Sequence, residues 1–480
     1  MIYRSNDAGG IGASCTLLSI DGKNILIDAG ISFEKLGRSN IARGPSGGYF
    51  KDARIDIIII THSHTDHIGS LPRFIREHPE AVIIITRQAY DTGLIMLWDA
   101  LNISTRLSDE HPEIDAVFSE LDIQNLVSLG DDRLILLEQA ELPAILEDRA
   151  FPGWLFGFHP IGHDPGAISI FINPPTDHPV IITGDASAHD QRIVKGRLVP
   201  DDEFLQKVLI SKKTPVLITE ATNGTRVPDM MPLDMDIVVA TNYSRELIEQ
   251  ELVRTILDVR DRGGQALLPT FAKGRSSNVA LILMEAGLVP HLDGMARKLF
   301  LLEVPNAREL ITQGKIVLIE EGKLGFEHRK SLWAGTDPCG HEFSPIIVPS
   351  ANLDNGWSTE YARHFVSNDK NAMIFTGHVF NDSTTERIIH LEKGHTIKLY
   401  SFVDNRDVVV NVKCEVRHFD LSAHDYRPAL VERVRLLRPA HTIIQHCDEP
   451  SFIAVAKAIR RLHIGTHIHR GFGLKHIEIN

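Results

Sequence analysis

The sequence predicts a mixed α/β protein with more than one domain. Apolar runs at residues 57–60, 180–182 and 216–218 indicate strands buried on both faces, and polar side chains follow each run. Between residues 266 and 377, short apolar runs alternate with helical patterns, which is typical of a mostly parallel sheet. A chain of 480 residues is also longer than one compact core usually requires.

Composition narrows the classes of function and location. The net charge of −13 argues against a generally basic nucleic-acid coat, although a local basic channel is compatible with it. The four cysteines are scattered without a C-x-x-C pair, which disfavours a disulfide scaffold and favours a reducing compartment. No apolar run reaches membrane-spanning length, and the first residues lack a signal-peptide core. We therefore expect a cytoplasmic protein with no membrane partner.

The most informative stretch directly follows the isoleucine run at residues 57–60. It places His62, His64, Asp66 and His67 in the pattern H-x-H-x-D-H. Neutral imidazole suits Zn²⁺, and a carboxylate adds a harder oxygen ligand. The alternative is a His-rich surface loop, since the chain contains 24 histidines. Four ligand-type residues directly after a buried strand favour a metal site.

Further candidates follow other predicted strands. His163 lies in a Gly- and Pro-rich loop, and Asp185 ends the apolar run that begins at residue 180. Asp28 ends another short strand and either orients a histidine ligand or begins a turn; both readings stay open. Residues 88–150 show mainly helical periodicity, which predicts packing and shielding rather than chemistry.

These motifs resemble those of the metallo-β-lactamase superfamily in order, spacing and strand-end context. The resemblance implies an αββα sandwich in which the ligands gather at one edge between two sheets. It implies one zinc ion held by His62, His64 and His163, and a second ion that Asp185 bridges to the first.

Later segments resemble the β-CASP nuclease subgroup of that superfamily. Residues 269–275 match its Pro-x-Phe-Ala-x-Gly-Arg segment, and Glu220 stands at its motif A. Residues 419–425 resemble its Phe-Ser-Ala-His-x-Asp element, with two residues between Phe419 and Ser422, which makes His424 the motif B histidine. The resemblance implies an α/β fold in which a parallel-sheet β-CASP domain is inserted into the sandwich.

His446 stands where the subgroup carries its motif C histidine. The resemblance implies that His446 completes the second zinc site with Asp66 and His67. The chain would then consist of a metallo-β-lactamase domain at residues 1–215, a β-CASP domain at 216–394 and a return segment at 395–480. The ligands of one site would lie on both sides of the insertion.

The predicted reaction is hydrolysis of a phosphodiester by a hydroxide that two zinc ions hold. We expect Asp66 to take part in catalysis as a metal ligand, His424 to donate a proton to the leaving oxygen, and Glu220 to orient His424 and raise its pKa. Lys273 and Arg275 are equally compatible with contacts to substrate and with structural roles.

The expected substrate is RNA, with DNA as the alternative. RNA-acting members of the subgroup tend to carry a histidine at motif C, as His446 does here. A non-catalytic scaffold and a small-molecule ester or thioester hydrolase are weaker alternatives, because no ligand is missing and an inserted domain suits a polymer. A homodimer or a processing complex, and endo- or exonuclease action, are left open.

Overall fold

The computed structural model describes residues 1–6, 10–36, 39–45, 50, 53–111, 114–147, 151–228 and 235–479. The chain divides into two compact units. The first consists of Met1–Asn242 and Ala423–Asn480, and the second of Tyr243–Ser422. The second unit is therefore an insertion in the first, although these boundaries differ from the predicted 215/216 and 394/395.

Strands are numbered β1 to β24 in chain order, and helices α1 to α14. The strands are β1 (Ile2–Asn6), β2 (Thr16–Ile20), β3 (Lys23–Ile27), β4 (Ser32–Leu36), β5 (Ser39–Arg43), β6 (Ile57–Ile59), β7 (Val82–Thr86), β8 (Leu134–Leu137), β9 (Ala144–Leu146), β10 (Leu155–Pro160), β11 (Ile168–Asn173), β12 (Val180–Ile182), β13 (Val216–Glu220), β14 (Ala266–Pro269), β15 (His291–Leu292), β16 (Val317–Leu318), β17 (Ile346–Val348), β18 (Ala372–Phe375), β19 (Thr396–Ser401), β20 (Arg406–Asn411), β21 (Glu415–His418), β22 (His441–Gln445), β23 (His467–Arg470) and β24 (Leu474–Glu478). The helices are α1 (Thr65–Ile68), α2 (Leu71–Glu77), α3 (Arg87–Glu110), α4 (Glu120–Val127), α5 (Asp202–Val208), α6 (Ile237–Asp261), α7 (Arg275–Glu285), α8 (Met295–Glu303), α9 (Ala307–Thr312), α10 (Gly322–Trp333), α11 (Trp357–Phe365), α12 (Thr384–Ile389), α13 (Arg427–Leu437) and α14 (Glu449–Arg460), with a 3₁₀ turn at Gln139–Glu141.

The first unit is a four-layer sandwich. One sheet has the order β24-β1-β2-β3-β6-β7-β8, and the other β23-β22-β13-β12-β11-β10-β9. An apolar core joins their inner faces, while α1–α4 cover the first sheet and α5, α13 and α14 cover the second. The predicted αββα sandwich is confirmed.

The isoleucine run shows why these strands are apolar on both faces. Ile57 and Ile59 pack into the core between the sheets. Ile58 and Ile60 pack into the core under the helices. Because side chains alternate across a strand, a strand in the middle of a sandwich needs apolar residues at every position.

The prediction of mainly helical structure at 88–150 is correct for α3 and α4 and wrong for β8 and β9. Residues 112, 113 and 148–150 of that segment lie outside the described residues. The run Leu134–Leu137 is too short for its periodicity to separate a strand from a helix, and its partner β7 lies far away in sequence.

The second unit contains a six-stranded sheet in the order β16-β15-β17-β14-β18-β21. Every strand pair in it is parallel, as the strand–helix alternation predicts. β21 pairs with β18, and β19 and β20 form an antiparallel ribbon. Residues 396–418 therefore belong to the second unit rather than to the predicted return segment. Across the described ranges, no helix is long and apolar enough to cross a membrane.

Candidate metal centre

The first unit gathers the predicted site residues at the ends of its central strands. β10, β12, β13 and β22 run in one direction, so their carboxyl ends meet at one edge of the second sheet. The loop after β6 reaches the same place from the first sheet, because its residues contact those after β12. This edge brings together His62, His64, Asp66, His67, His163, Asp185, Glu220, His424 and His446.

Three imidazoles form the first group of donors. His62 Nε2 lies 3.0 Å from His64 Nδ1, and His163 Nε2 lies 3.1 Å from the same atom. A zinc ion bound at about 2.0–2.1 Å by tetrahedral nitrogens separates them by roughly 3.3 Å. The three nitrogens therefore have nearly the spacing of a zinc coordination face.

A carboxylate and two imidazoles form the second group. Asp66 Oδ2 lies 3.3 Å from His446 Nε2 and 3.9 Å from His67 Nε2. The helix α1 carries Asp66 and His67, whereas His446 follows β22 from the far end of the chain. The group is complete only because the chain returns to the first unit after the second.

Asp185 lies between the two groups. Its Oδ2 is 3.6 Å from His62 Nε2, 3.8 Å from His163 Nε2 and 3.3 Å from His67 Nε2. One oxygen thus faces donors of both groups, which is the position of a bridging ligand. Asp185 Oδ1 also lies 3.3 Å from His446 Nδ1, but among the described residues neither Asp185 Oδ1 nor His67 Nε2 has a contact with hydrogen-bond geometry.

The contacts of Asp28 favour a role in orienting a histidine over a role in beginning a turn. Its Oδ2 accepts a 2.8 Å hydrogen bond from His67 Nδ1, and both of its oxygens accept from the Thr61 hydroxyl. Because that hydroxyl gives its proton to Asp28, Thr61 Oγ1 accepts from His62 Nδ1 at 3.0 Å. Asp28 therefore orients one histidine of each group, as carboxylates commonly do behind metal ligands.

Two further contacts fix the direction of imidazoles. The Ala423 carbonyl accepts from His163 Nδ1 at 2.9 Å, so the lone pair of His163 lies on Nε2. Thr222 Oγ1 donates to the carbonyl of His446 and lies 3.0 Å from its Nδ1, which it can accept from. Both rings thereby direct Nε2 at the cluster.

The backbone at this edge is strained and tightly packed. His446 has a φ of 49°, which is uncommon for a residue other than glycine and typical of functional sites. At Gly184 a Cβ atom would lie 2.8 Å from the Thr61 side chain, and φ is +57°. A glycine there allows the end of β12 to approach the end of β6, which places Asp185 beside His62.

The electrostatics divide the histidines into two kinds. Burial, with a further effect of His424, lowers the pKa of His163 to about 4, and burial lowers the pKa of His62 well below its usual value. Both are therefore neutral, the form that binds metals. Burial opposes protonation of His67 as well, but Asp185 and Asp28 raise its pKa well above the usual value. The carboxylates that favour a protonated His67 would favour a bound cation at this buried place in the same way.

Glu220 and His424 form a pair beside Asp185. His424 Nδ1 lies 3.2 and 3.1 Å from the two oxygens of Glu220. The Glu220 oxygens also accept from the backbone N–H groups of Ala186 and Thr222. Burial opposes protonation of His424, yet Glu220 and Asp185 raise its pKa to about 9. His424 is about one-fifth exposed, while Glu220 is buried.

The donor set fits zinc. The described residues offer five imidazole nitrogens and two carboxylates in two groups, and two of the buried donor atoms, Asp185 Oδ1 and His67 Nε2, make no hydrogen bond. Borderline-soft Zn²⁺ prefers such mixed nitrogen and oxygen sites, whereas Ca²⁺ and Mg²⁺ prefer oxygen alone.

The basic residues singled out in the sequence have structural contacts within the second unit. Lys273 is buried, and its Nζ lies 3.3 Å from Oε1 of the buried Glu303. Glu303 also accepts from the Gly274 backbone and the Ser277 hydroxyl. Arg275 is likewise buried, at 9% exposure. These observations favour the structural reading of both cations.

Sequence reasoning missed several residues that position the ligands. Thr61 and Thr222 had no motif to mark them, and the segment at residues 419–425 suggested a role for His424 but none for the Ala423 carbonyl. Asp425 also contributes: it is buried, pairs with Arg433, and accepts from the backbone N–H of Ala188. Its contact holds the His424 loop against the segment that follows Asp185.

Comparisons with known proteins agree with this geometry. The profile of the metallo-beta-lactamase superfamily matches residues 8–218, and that of the Zn-dependent metallo-hydrolase RNA specificity domain matches residues 409–469. "Probable RNase MJ4" of Methanocaldococcus jannaschii is 25% identical over 92% of this chain and 91% of its own. "Transcription termination factor FttA" of Methanosarcina mazei is 25% identical over 95% of this chain and 68% of its own.

Two more distant matches extend the comparison. "Cleavage and polyadenylation specificity factor 73" of Drosophila melanogaster is 22% identical over 94% of this chain and 60% of its own. A crystal structure of a protein of unknown function from Enterococcus faecalis aligns with a TM-score of 0.54 at 14% identity, over 99% of both chains. At this identity, the structural match supports the fold alone.

Proposed function

The chain belongs to the metallo-β-lactamase superfamily, in its β-CASP nuclease subgroup, and on that premise we propose that it is a dizinc ribonuclease. The observation that carries the proposal is the arrangement around Asp185. Two groups of metal donors share its carboxylate, and the Glu220–His424 pair lies beside it. This is the arrangement that phosphodiester hydrolysis by two metal ions requires.

Each zinc ion has its own protein ligands in this proposal. His62, His64 and His163 hold one ion, and Asp185 is shared. The other ion is held by three donors from two distant parts of the chain, Asp66, His67 and His446. When bound, the ions supply an activated water at neutral pH and stabilise negative charge on the phosphate oxygens.

The remaining residues position the ligands and move a proton. Asp28 and Thr61 hold the imidazoles of His62 and His67, so that metal binding costs little reorganisation. His424 is protonated at neutral pH in the geometry described, and it donates a proton to the leaving oxygen. Glu220 is a positioning residue, because it fixes the ring of His424 through Nδ1.

RNA is the proposed substrate for two reasons. The RNA specificity domain profile covers residues 409–469, which include His424 and His446. The relatives named above include a probable RNase that aligns over most of both chains. A non-catalytic scaffold is disfavoured, because every predicted ligand is present in the cluster. Assembly as a homodimer or in a processing complex is compatible with this proposal.

The proposal is tested with end-labelled RNA and DNA of one sequence. We expect the zinc-loaded chain to cleave RNA and to leave DNA intact, and His163→Ala to cleave neither. Product lengths separate internal cleavage from removal of terminal nucleotides. Cleavage of DNA as fast as RNA would favour the alternative, a DNA nuclease of the same fold. Hydrolysis of a simple ester without cleavage of either polymer would instead indicate a small-molecule hydrolase.

A further inference from the structure

A second group of metal-binding side chains lies within the second unit. Its members come from β15, from α10 and from the loop after α10, and they are His291, His328, Asp337 and Cys339. One donor atom from each lies within 4.8 Å of every other. None of these residues takes part in the site proposed above, so this inference is independent of the proposed function.

His291 is at the centre of the group and is completely buried. Its Nδ1 lies 3.3 Å from His328 Nε2, and its Nε2 lies 3.1 Å from Asp337 Oδ2. Two imidazole nitrogens around a tetrahedral zinc ion are separated by roughly the same 3.3 Å. The planes of the two rings are inclined at 80° to each other.

Asp337 is held in place by several donors. Its Oδ2 accepts from His341 Nδ1 at 2.9 Å and from the Ser344 hydroxyl at 2.6 Å. Its Oδ1 accepts from the backbone N–H of Cys339 at 2.7 Å, which closes the turn that carries the thiol. These contacts hold the Asp337 carboxylate in one orientation beside His291 and Cys339.

The chemistry of the donors selects the class of ion. One thiol, two imidazoles and a carboxylate form a mixed sulfur, nitrogen and oxygen set, which suits zinc and disfavours calcium or magnesium. Cys339 is exposed and His328 is half-buried, which gives an ion a path from solvent. Asp337 and Cys339 stand two positions apart, which is the local sequence signal, whereas His291 and His328 lie in other segments.

We propose that the second unit contains a structural zinc site formed by His291, His328, Asp337 and Cys339. The ion ties α10 and the loop at residues 337–344 to the short strand β15. β15 has only two residues and pairs with β16 and β17, so few backbone hydrogen bonds hold it in the sheet. Because binding to the folded state stabilises it by mass action, the metal raises the thermal stability of this unit.

The alternative is a hydrogen-bonded cluster without a metal, and cobalt separates the two. Co²⁺ bound by a thiolate shows a charge-transfer absorption in the near ultraviolet, which histidine and carboxylate ligands alone do not produce. Among the described residues, the donors proposed for the first unit's zinc ions are histidine and aspartate side chains. Cobalt-loaded protein should therefore show this absorption only through Cys339.

We expect the absorption in the wild-type chain and equally in Asp185→Ala, whose change lies in the other site. Cys339→Ser should lose it and bind one metal ion fewer per chain. His328→Ala should weaken binding as a second variant, whereas His395→Ala, an exposed histidine of the same unit, should change neither readout. Circular dichroism verifies that each variant is folded.

Two outcomes would overturn the proposal. One is the absence of the thiolate absorption at saturating cobalt in folded wild-type protein. The other is an absorption that survives Cys339→Ser, since a different thiol would then be the ligand. A failure of the first unit to cleave RNA would change neither the cobalt absorption nor its dependence on Cys339. The proposed function and the proposed structural zinc site can therefore fail independently.

Discussion

Replacing Asp185 by alanine should abolish RNA cleavage and lower the zinc content of the purified chain. Its Oδ2 faces donors of both groups, so its loss weakens both sites at once. We expect a fall of more than about 1000-fold in kcat/KM, because removal of a single stabilising donor alone costs on the order of 100–1000-fold. Single-turnover cleavage of end-labelled RNA and metal analysis measure the two effects.

Asp202→Ala is the matched control, because Asp202 is an exposed aspartate of the same unit. This variant should retain both activity and zinc. Wild-type activity in folded Asp185→Ala would contradict the assignment of a shared carboxylate. Retained zinc with lost activity would place Asp185 in substrate binding instead.

His424→Ala should lower kcat by roughly 100- to 10,000-fold, the usual range for a positioned acid, and leave the zinc content unchanged. The leaving oxygen then has no proton donor. A phosphodiester with a nitrophenyl leaving group needs no proton, so the variant should cleave it nearly as fast as the wild type does. A purely structural role for His424 would slow both substrates equally.

Glu220→Gln tests whether the pair acts as a unit. Glu220 accepts from two backbone N–H groups, and a glutamine has only one acceptor oxygen for them. We expect a smaller loss than for His424→Ala, of about 10- to 100-fold. The double variant should be little worse than His424→Ala alone, since Glu220 acts through that ring. A double variant whose loss of activity equals the product of the two single losses would contradict this coupling.

Much of the fold was predictable because a strand buried on both faces in the middle of a sandwich is apolar at every position. Ile57–Ile59 and Val180–Ile182 are apolar at every position, and both are strands. Pairing between distant segments was not predictable. β21 joins the second unit through its ladder with β18, and no local feature of Glu415–His418 indicates that partner.

The side chains that gather in the cluster were predictable, because imidazoles and carboxylates in a fixed pattern are rare. Their supports were not, because hydroxyl groups and backbone carbonyls occur throughout any chain. Thr61 and Ala423 acquire their roles only where the fold brings them to Nδ1 of His62 and His163. The group around His291 was not predictable for a related reason, since its members come from three separate segments.

The most direct test of the central claim is a zinc titration of chelator-treated Cys339→Ser, which lacks the ligand proposed in the second unit. The account predicts no RNA cleavage without zinc and full cleavage only when two zinc ions per chain are bound. Cleavage by the zinc-free chain, or full cleavage after a single ion, would contradict it.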